Sequence, residues 1–129
     1  MVTNKNILVV VLLQAALWAP ASAADRKPDE CGLASVYSST SEETASGEDT
    51  RPEDFTAAHR TLPFGALINI QNQKTGRWTV ARITDRGPFI AGRIIDISQA
   101  AARDLGISGV AQVCINIVWT PEARQVRGN

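Results

Sequence analysis

The sequence predicts a mainly β fold, a small barrel with one or two short helices. Three observations predict it. Apolar residues come in short runs of strand length, separated by Gly, Pro, Asn and Asp. Only one stretch, Ser98 to Leu105, has convincing helical character. The chain has 129 residues, 44% of them hydrophobic, which suits one domain with one modest core.

Taken in order, the N-terminus reads as a secretory signal. Lys5 supplies a positive n-region, Ile7 to Leu17 an apolar h-region, and Ala21-Ser22-Ala23 a small-x-small cleavage site. The apolar run is too short to cross ~30 Å of hydrocarbon comfortably, so residues 1–23 are expected to be removed. Cys31 follows Pro28-Asp29-Glu30 rather than small apolar residues, so it is not expected to carry a lipid. The mature protein is expected to be soluble, periplasmic or secreted, with no membrane anchor.

Residues 24–30 are charged, contain Pro28, and predict a disordered lead-in. Cys31 to Ser38 reads as a first strand. Ser38 to Asp54 is rich in Ser, Thr, Glu and Asp, contains Pro52, and has no apolar period. A polar excursion of that length inside a small domain is more often functional than a plain connector. Phe55 to Ala58 is short and small-sided. Ala66 to Gln71 and Arg77 to Thr84 flank a polar turn with Gly76, and together predict a β-hairpin. Arg93 to Ile97 is a further β-rich run. For the helix, Ser98 is the expected N-cap, Ala100, Ala101 and Ala102 are strong helix formers, and Gly106 is the expected stop. Gly109 to Trp119 predicts a last strand, apolar on the odd positions from Val113. The domain is therefore expected over residues 31–118, with a flexible charged tail over 119–129.

Charge and cysteines exclude several functions. Thirteen basic residues balance thirteen acidic ones, and removing the signal with Lys5 leaves one net negative charge. There is no basic block and no interleaving of basic with aromatic residues, so neither nucleic acid nor anionic lipid is an expected partner. Two cysteines in an exported chain predict one disulfide, Cys31 to Cys114. Such a bridge would close most of the domain into one loop, worth up to about 4 kcal/mol in the chain-entropy model. One cysteine pair and a single histidine, without ligand-type spacing, make a poor metal set, and no metal or cofactor is expected.

Three titratable side chains stand out. The apolar run Val80 to Ile83 ends at Asp85, beside Arg86, and Gly87-Pro88 then turns the chain, so a carboxylate is held at the lip of the barrel. His59, the only histidine, follows Thr56-Ala57-Ala58. Glu48 lies in the polar excursion. Each has a plain structural reading when taken alone: a strand-ending turn residue, a buried histidine bonded to backbone, and a solvated surface acid.

Five blocks change that balance. They are Gly32-Leu33-Ala34-Ser35-Val36-Tyr37, Thr44-Ala45-Ser46-Gly47-Glu48, Thr56 to Gly65 (Thr-Ala-Ala-His-Arg-Thr-Leu-Pro-Phe-Gly), Thr84-Asp85-Arg86-Gly87-Pro88-Phe89, and Arg93-Ile94-Ile95-Asp96-Ile97-Ser98. In this order and spacing the chain resembles the rare lipoprotein A family of bacterial cell-wall proteins, from Gly32 to about Val118. The resemblance implies a six-stranded double-psi β-barrel, shared with expansins, which loosen walls without cleaving them. It implies lytic transglycosylase activity on peptidoglycan glycan strands, with a preference for strands stripped of stem peptides. It implies Asp85 as the essential catalyst, supported by Glu48 and His59. Within the matched blocks Tyr37, Thr44, Arg60 and Arg86 are the side chains expected to meet substrate. A monomer is expected, with room for other cell-wall proteins as partners. Three departures from the family are expected: no lipid-anchoring cysteine, no C-terminal glycan-binding repeat domain, and Arg51 where members often place Asp.

The chemistry implied is economical in residues. In lytic cleavage between N-acetylmuramic acid and N-acetylglucosamine the sugar's own 6-hydroxyl attacks, giving a 1,6-anhydro product. One carboxyl can protonate the leaving oxygen and also accept the hydroxyl proton, whereas a hydrolase normally needs two at a set separation. The competing expectations are an expansin-like module that binds glycan without cleaving it, and an exported barrel that acts as a protein partner or inhibitor.

Overall fold

The computed structural model describes residues 26–37, 44–49 and 51–125. The expected signal over 1–23 lies outside the described residues, as does part of the polar excursion, residues 38–43 and Thr50. Six strands close into a barrel: β1 (Glu30–Val36), β2 (Thr56–Ala58), β3 (Leu67–Asn72), β4 (Trp78–Asp85), β5 (Arg93–Ile97) and β6 (Val110–Trp119). Their order around the barrel is β1-β5-β2-β4-β3-β6, with β6 returning to β1. Two pairs are parallel, β1 with β5 and β2 with β4, and each carries a register shift, at Leu33/Ala34 and at Ala57/Ala58. The other four pairs are antiparallel.

Alternation explains the core. Inward residues of β3 to β6, including Ile68, Ile70, Ile83, Ile95, Ile97, Val113 and Ile115, are fully buried and form one cluster. Side chains of a strand alternate between faces, so the intervening residues line the outer wall. Strand β2 has no large side chain. Its Thr-Ala-Ala is buried throughout, between β4 and β5.

The helix α1 (Gln99–Leu105) begins and ends where its capping residues predict. The Ser98 hydroxyl accepts from the Ala101 N–H, and Gly106 adopts φ 68° at the C-terminal end. A Cβ there would meet only the movable tip of the Arg77 side chain at 2.8 Å, so it is the left-handed conformation that favours glycine. Ala100, Ala101, Ala102 and Leu105 bury the helix against the barrel.

Two stretches are more ordered than their charge predicts. Asp29 lies in the expected lead-in, yet its N–H donates to Ile115 O at 3.0 Å and its carboxylate accepts from the Ile117 N–H at 2.7 Å. Glu30 is already part of β1, so backbone pairing with β6 outweighs the polar composition of this stretch. In the expected tail, Trp119 belongs to β6, and α2 (Glu122–Gln125) forms one turn after Pro121. The disulfide between Cys31 and Cys114 is present, and these residues are direct cross-strand partners of β1 and β6.

Candidate active site

Asp85 ends β4 on the parallel seam with β2, where the register shift sets Ala58 opposite it. Its backbone carbonyl accepts from the His59 N–H at 3.1 Å. Gly87 then turns the chain at φ 116°, ahead of a cis bond to Pro88. The carboxylate is fixed from two sides. Oδ1 accepts from the Arg86 N–H at 2.8 Å and from the Ala45 N–H at 3.0 Å. Oδ2 meets the Tyr37 hydroxyl at 3.4 Å. Asp85 is half-buried.

Tyr37 follows β1 and is tied to β5 by its N–H, which donates to Ile97 O at 2.9 Å. Burial, followed by the negative charges of Asp85 and Asp96, pushes its phenol far above the ordinary range. The hydroxyl therefore keeps its proton and acts as a donor. Replacing Tyr37 with Phe removes that donor without changing the ring. A hydrogen bond to a charged group is worth ~1.5–3 kcal/mol at good geometry, and this one is long. The expected result is a small loss of stability, below about 1.5 kcal/mol because the bond is long, measured by thermal melting.

A second carboxylate joins this region. Asp96 on β5 pairs in register with Ser35 on β1. The Ser35 hydroxyl donates to Asp96 Oδ1, and Arg93 reaches the same oxygen at 2.9 Å while also donating to Ser35. Ser35, Arg93 and Asp96 were not singled out in the sequence. The available signal was an acid set between Ile95 and Ile97, which alternation places on the outer wall beside Asp85's partner Ala58.

The segments bearing Glu48, His59 and Asp85 meet, but among the described residues no hydrogen bond or ion pair links these three side chains to one another. His59 is 6% exposed. Its Nδ1 accepts from the Thr61 and Leu62 N–H groups, both at 3.1 Å. That places the ring proton on Nε2, which donates to Glu30 Oε2 at 2.9 Å. The carboxylate that His59 orients is thus Glu30 at the start of β1.

Glu48 is bound by Arg82, with Nη1 to Oε1 at 2.5 Å and Nη2 to Oε2 at 2.7 Å. Hydrogen bonding to Arg82 holds its carboxyl below the ordinary value. A carboxyl kept charged in this way is a poor proton donor at neutral pH. The lowered folded-state value means that the pair's contribution to stability is present above the ordinary carboxylate range and lost as pH falls through the lowered value. Both side chains are partly exposed, so the contribution is small. Glu48→Gln is expected to be slightly less stable than the parent at neutral pH, with the difference shrinking as pH falls through the lowered Glu48 value in urea denaturation.

The remaining expected contact residues make protein contacts. Arg86 donates to Leu62 O at 2.8 Å and His59 O at 3.3 Å, and lies over the Phe64 ring at 4.0 Å. It ties the loop after β2 to the loop after β4. Thr44 is buried, and its hydroxyl bonds to Glu48 O and to the Ser46 hydroxyl. Arg60 is exposed and donates to Arg93 O.

A closed six-stranded barrel with two parallel strand pairs among antiparallel ones is the architecture of the double-psi class. Comparison with known proteins agrees. Residues 29–115 match the family model described as lytic transglycolase, and the chain belongs to that family. A probable endolytic peptidoglycan transglycosylase RlpA of Nostoc sp. is 50% identical over 93 residues, covering 67% of this chain and 25% of that protein. The endolytic peptidoglycan transglycosylase RlpA of Pasteurella multocida is 40% identical over 101 residues, covering 75% of this chain and 34% of that protein. The chain thus spans a quarter to a third of the length of these relatives. Among solved structures, a Clavibacter michiganensis expansin superposes with TM-score 0.55 at 19% identity, over 70% of this chain and 50% of that one. A Streptomyces papain inhibitor does so with TM-score 0.55 at 19% identity, over 74% of this chain and all of that one. At that identity the two structures share the fold alone.

Proposed function

We propose that this chain is an exported lytic transglycosylase that cleaves peptidoglycan glycan strands between N-acetylmuramic acid and N-acetylglucosamine, leaving 1,6-anhydro ends. Membership of the family and the names of its relatives support the reaction class. The disulfide supports an oxidising compartment, consistent with the signal read in residues 1–23. The observation that carries the reading is the state of Asp85: Oδ1 is committed to two backbone donors, while Oδ2 meets only the Tyr37 hydroxyl among the described contacts.

The uncommitted Oδ2 supports the following steps. Asp85 Oδ2 gives its proton to the glycosidic oxygen as the bond to C1 breaks. The same oxygen then takes the proton of the 6-hydroxyl as that oxygen closes on C1. Tyr37 donates to the carboxylate that appears between these events. Glu48 and His59 support Asp85 through the loops they hold and take no proton from the sugar.

A non-catalytic glycan-binding module is the second reading. It is favoured by the same engagement of Glu48 with Arg82 and of His59 with Glu30, which leaves one carboxylate of the expected set at the seam. Denuded sacculi separate the two. The enzyme releases soluble muropeptide-free glycan fragments with time, whereas the module co-sediments with the walls and releases nothing.

A further inference from the structure

Arg82 lies on the outer wall of β4, three residues before Asp85, with its N–H donating to Phe55 O at 3.0 Å. Its two guanidinium nitrogens hold both oxygens of Glu48, a bidentate arrangement that fixes orientation as well as distance. Glu48 closes a braced turn. The Thr44 N–H and hydroxyl donate to Glu48 O at 2.9 and 2.8 Å, and the Gly47 N–H donates to Thr44 O at 2.9 Å. These bonds close the turn on itself. It carries the two N–H groups that meet the end of β4: Ser46 donates to Thr84 O at 3.1 Å, and Ala45 donates to Asp85 Oδ1 at 3.0 Å.

We propose that Arg82 is a positioning residue of the site: by clasping Glu48 it holds the Thr44–Glu48 turn against β4 and so keeps the Ala45 N–H on Asp85. Arg82 touches neither Asp85 nor Tyr37 in hydrogen-bonding contact, and acts through the turn. Glu48 belongs to the same device. Its carboxylate serves the reaction by being bound to a cation on the neighbouring strand. The activity arm of this inference rests on the reading of Asp85 as the acid–base group; the structural arm does not.

The test is an amide proton–nitrogen NMR titration of the free protein, paired with glycan cleavage. Two amides report on Asp85. The Arg86 N–H contact is local to β4, whereas the Ala45 N–H contact depends on the turn. In the parent both amide signals move with one midpoint as Asp85 ionises. In Arg82→Gln and in Glu48→Gln the Ala45 response is lost and the Arg86 response stays. The charge-exchanged double variant, Arg82→Glu with Glu48→Arg, restores it. Cleavage follows, with kcat down about tenfold to a hundredfold in the single variants, KM little changed, and recovery in the exchanged pair. Ala45 continuing to follow the Asp85 titration in both single variants overturns the proposal, whatever the activity. If the amide responses behave as stated but the parent protein cleaves no glycan, the positioning link stands and the enzyme reading falls.

Discussion

Replacing Asp85 with Asn is expected to lower glycan cleavage at least about a thousandfold while leaving the fold intact. General acid–base catalysis by one placed group is typically worth 10²–10⁴-fold, and here one group is assigned both proton transfers. Asn keeps the acceptor oxygen for the Ala45 and Arg86 N–H groups, so the turn and strand end should stay in place. Asn cannot release a proton to the leaving oxygen. The measurement is the rate of anhydro-ended product from denuded sacculi, with the unfolding midpoint followed in parallel. A parental rate in Asp85→Asn removes Asp85 from the chemistry. Loss of rate accompanied by unfolding would be answered by Asp85→Glu, which keeps the proton and moves it by one methylene.

The second large effect concerns stability. The bridge Cys31–Cys114 joins residues 83 apart in sequence, across the pair that closes the barrel. Constraining a loop of that length in the unfolded chain is worth about 4 kcal/mol in the entropy model. The double variant Cys31→Ser/Cys114→Ser is expected to lose most of that. At roughly 4–8 °C per kcal/mol for a domain of this size, the unfolding midpoint should fall by roughly 15–30 °C. Thermal melting by circular dichroism, with and without reductant on the parent, measures it. A fall under about 5 °C would mean that the β1–β6 ladder alone carries the closure.

Much of the fold was legible because the strands obey alternation. β3, β4, β5 and β6 were each found to within a residue or two, and α1 announced both its ends through Ser98 and Gly106. Strand β2 was not legible from pattern. Three small residues cannot display a period, and their smallness follows from a position buried between two neighbouring strands. Glu30 was read with the charged lead-in because composition outvoted its pairing with Ile115, a partner 85 positions away and invisible locally.

The candidate site divides in the same way. Asp85 was legible as the residue where an apolar run meets Gly and Pro. Its partners were harder, because each lies across a long-range register. Ser35 and Asp96 meet only through the parallel pairing of β1 with β5. Arg82 falls within the strand run Arg77 to Thr84, and nothing near it in sequence reveals that Glu48 will be folded onto it. Sequence blocks marked Glu48 and His59 as belonging near Asp85, and their backbones do arrive there. Which way their side chains turn was decided by Arg82 and Glu30, two charges with no motif of their own.

The most direct test of the central claim, that one carboxylate serves both steps with no external water, is digestion of denuded sacculi in heavy-oxygen water followed by mass spectrometry of the soluble fragments. The account predicts unlabelled fragments whose muramic ends lack one water relative to a hydrolytic end. Fragments carrying the heavy oxygen at a reducing muramic end would show that water attacks the bond, and would contradict it.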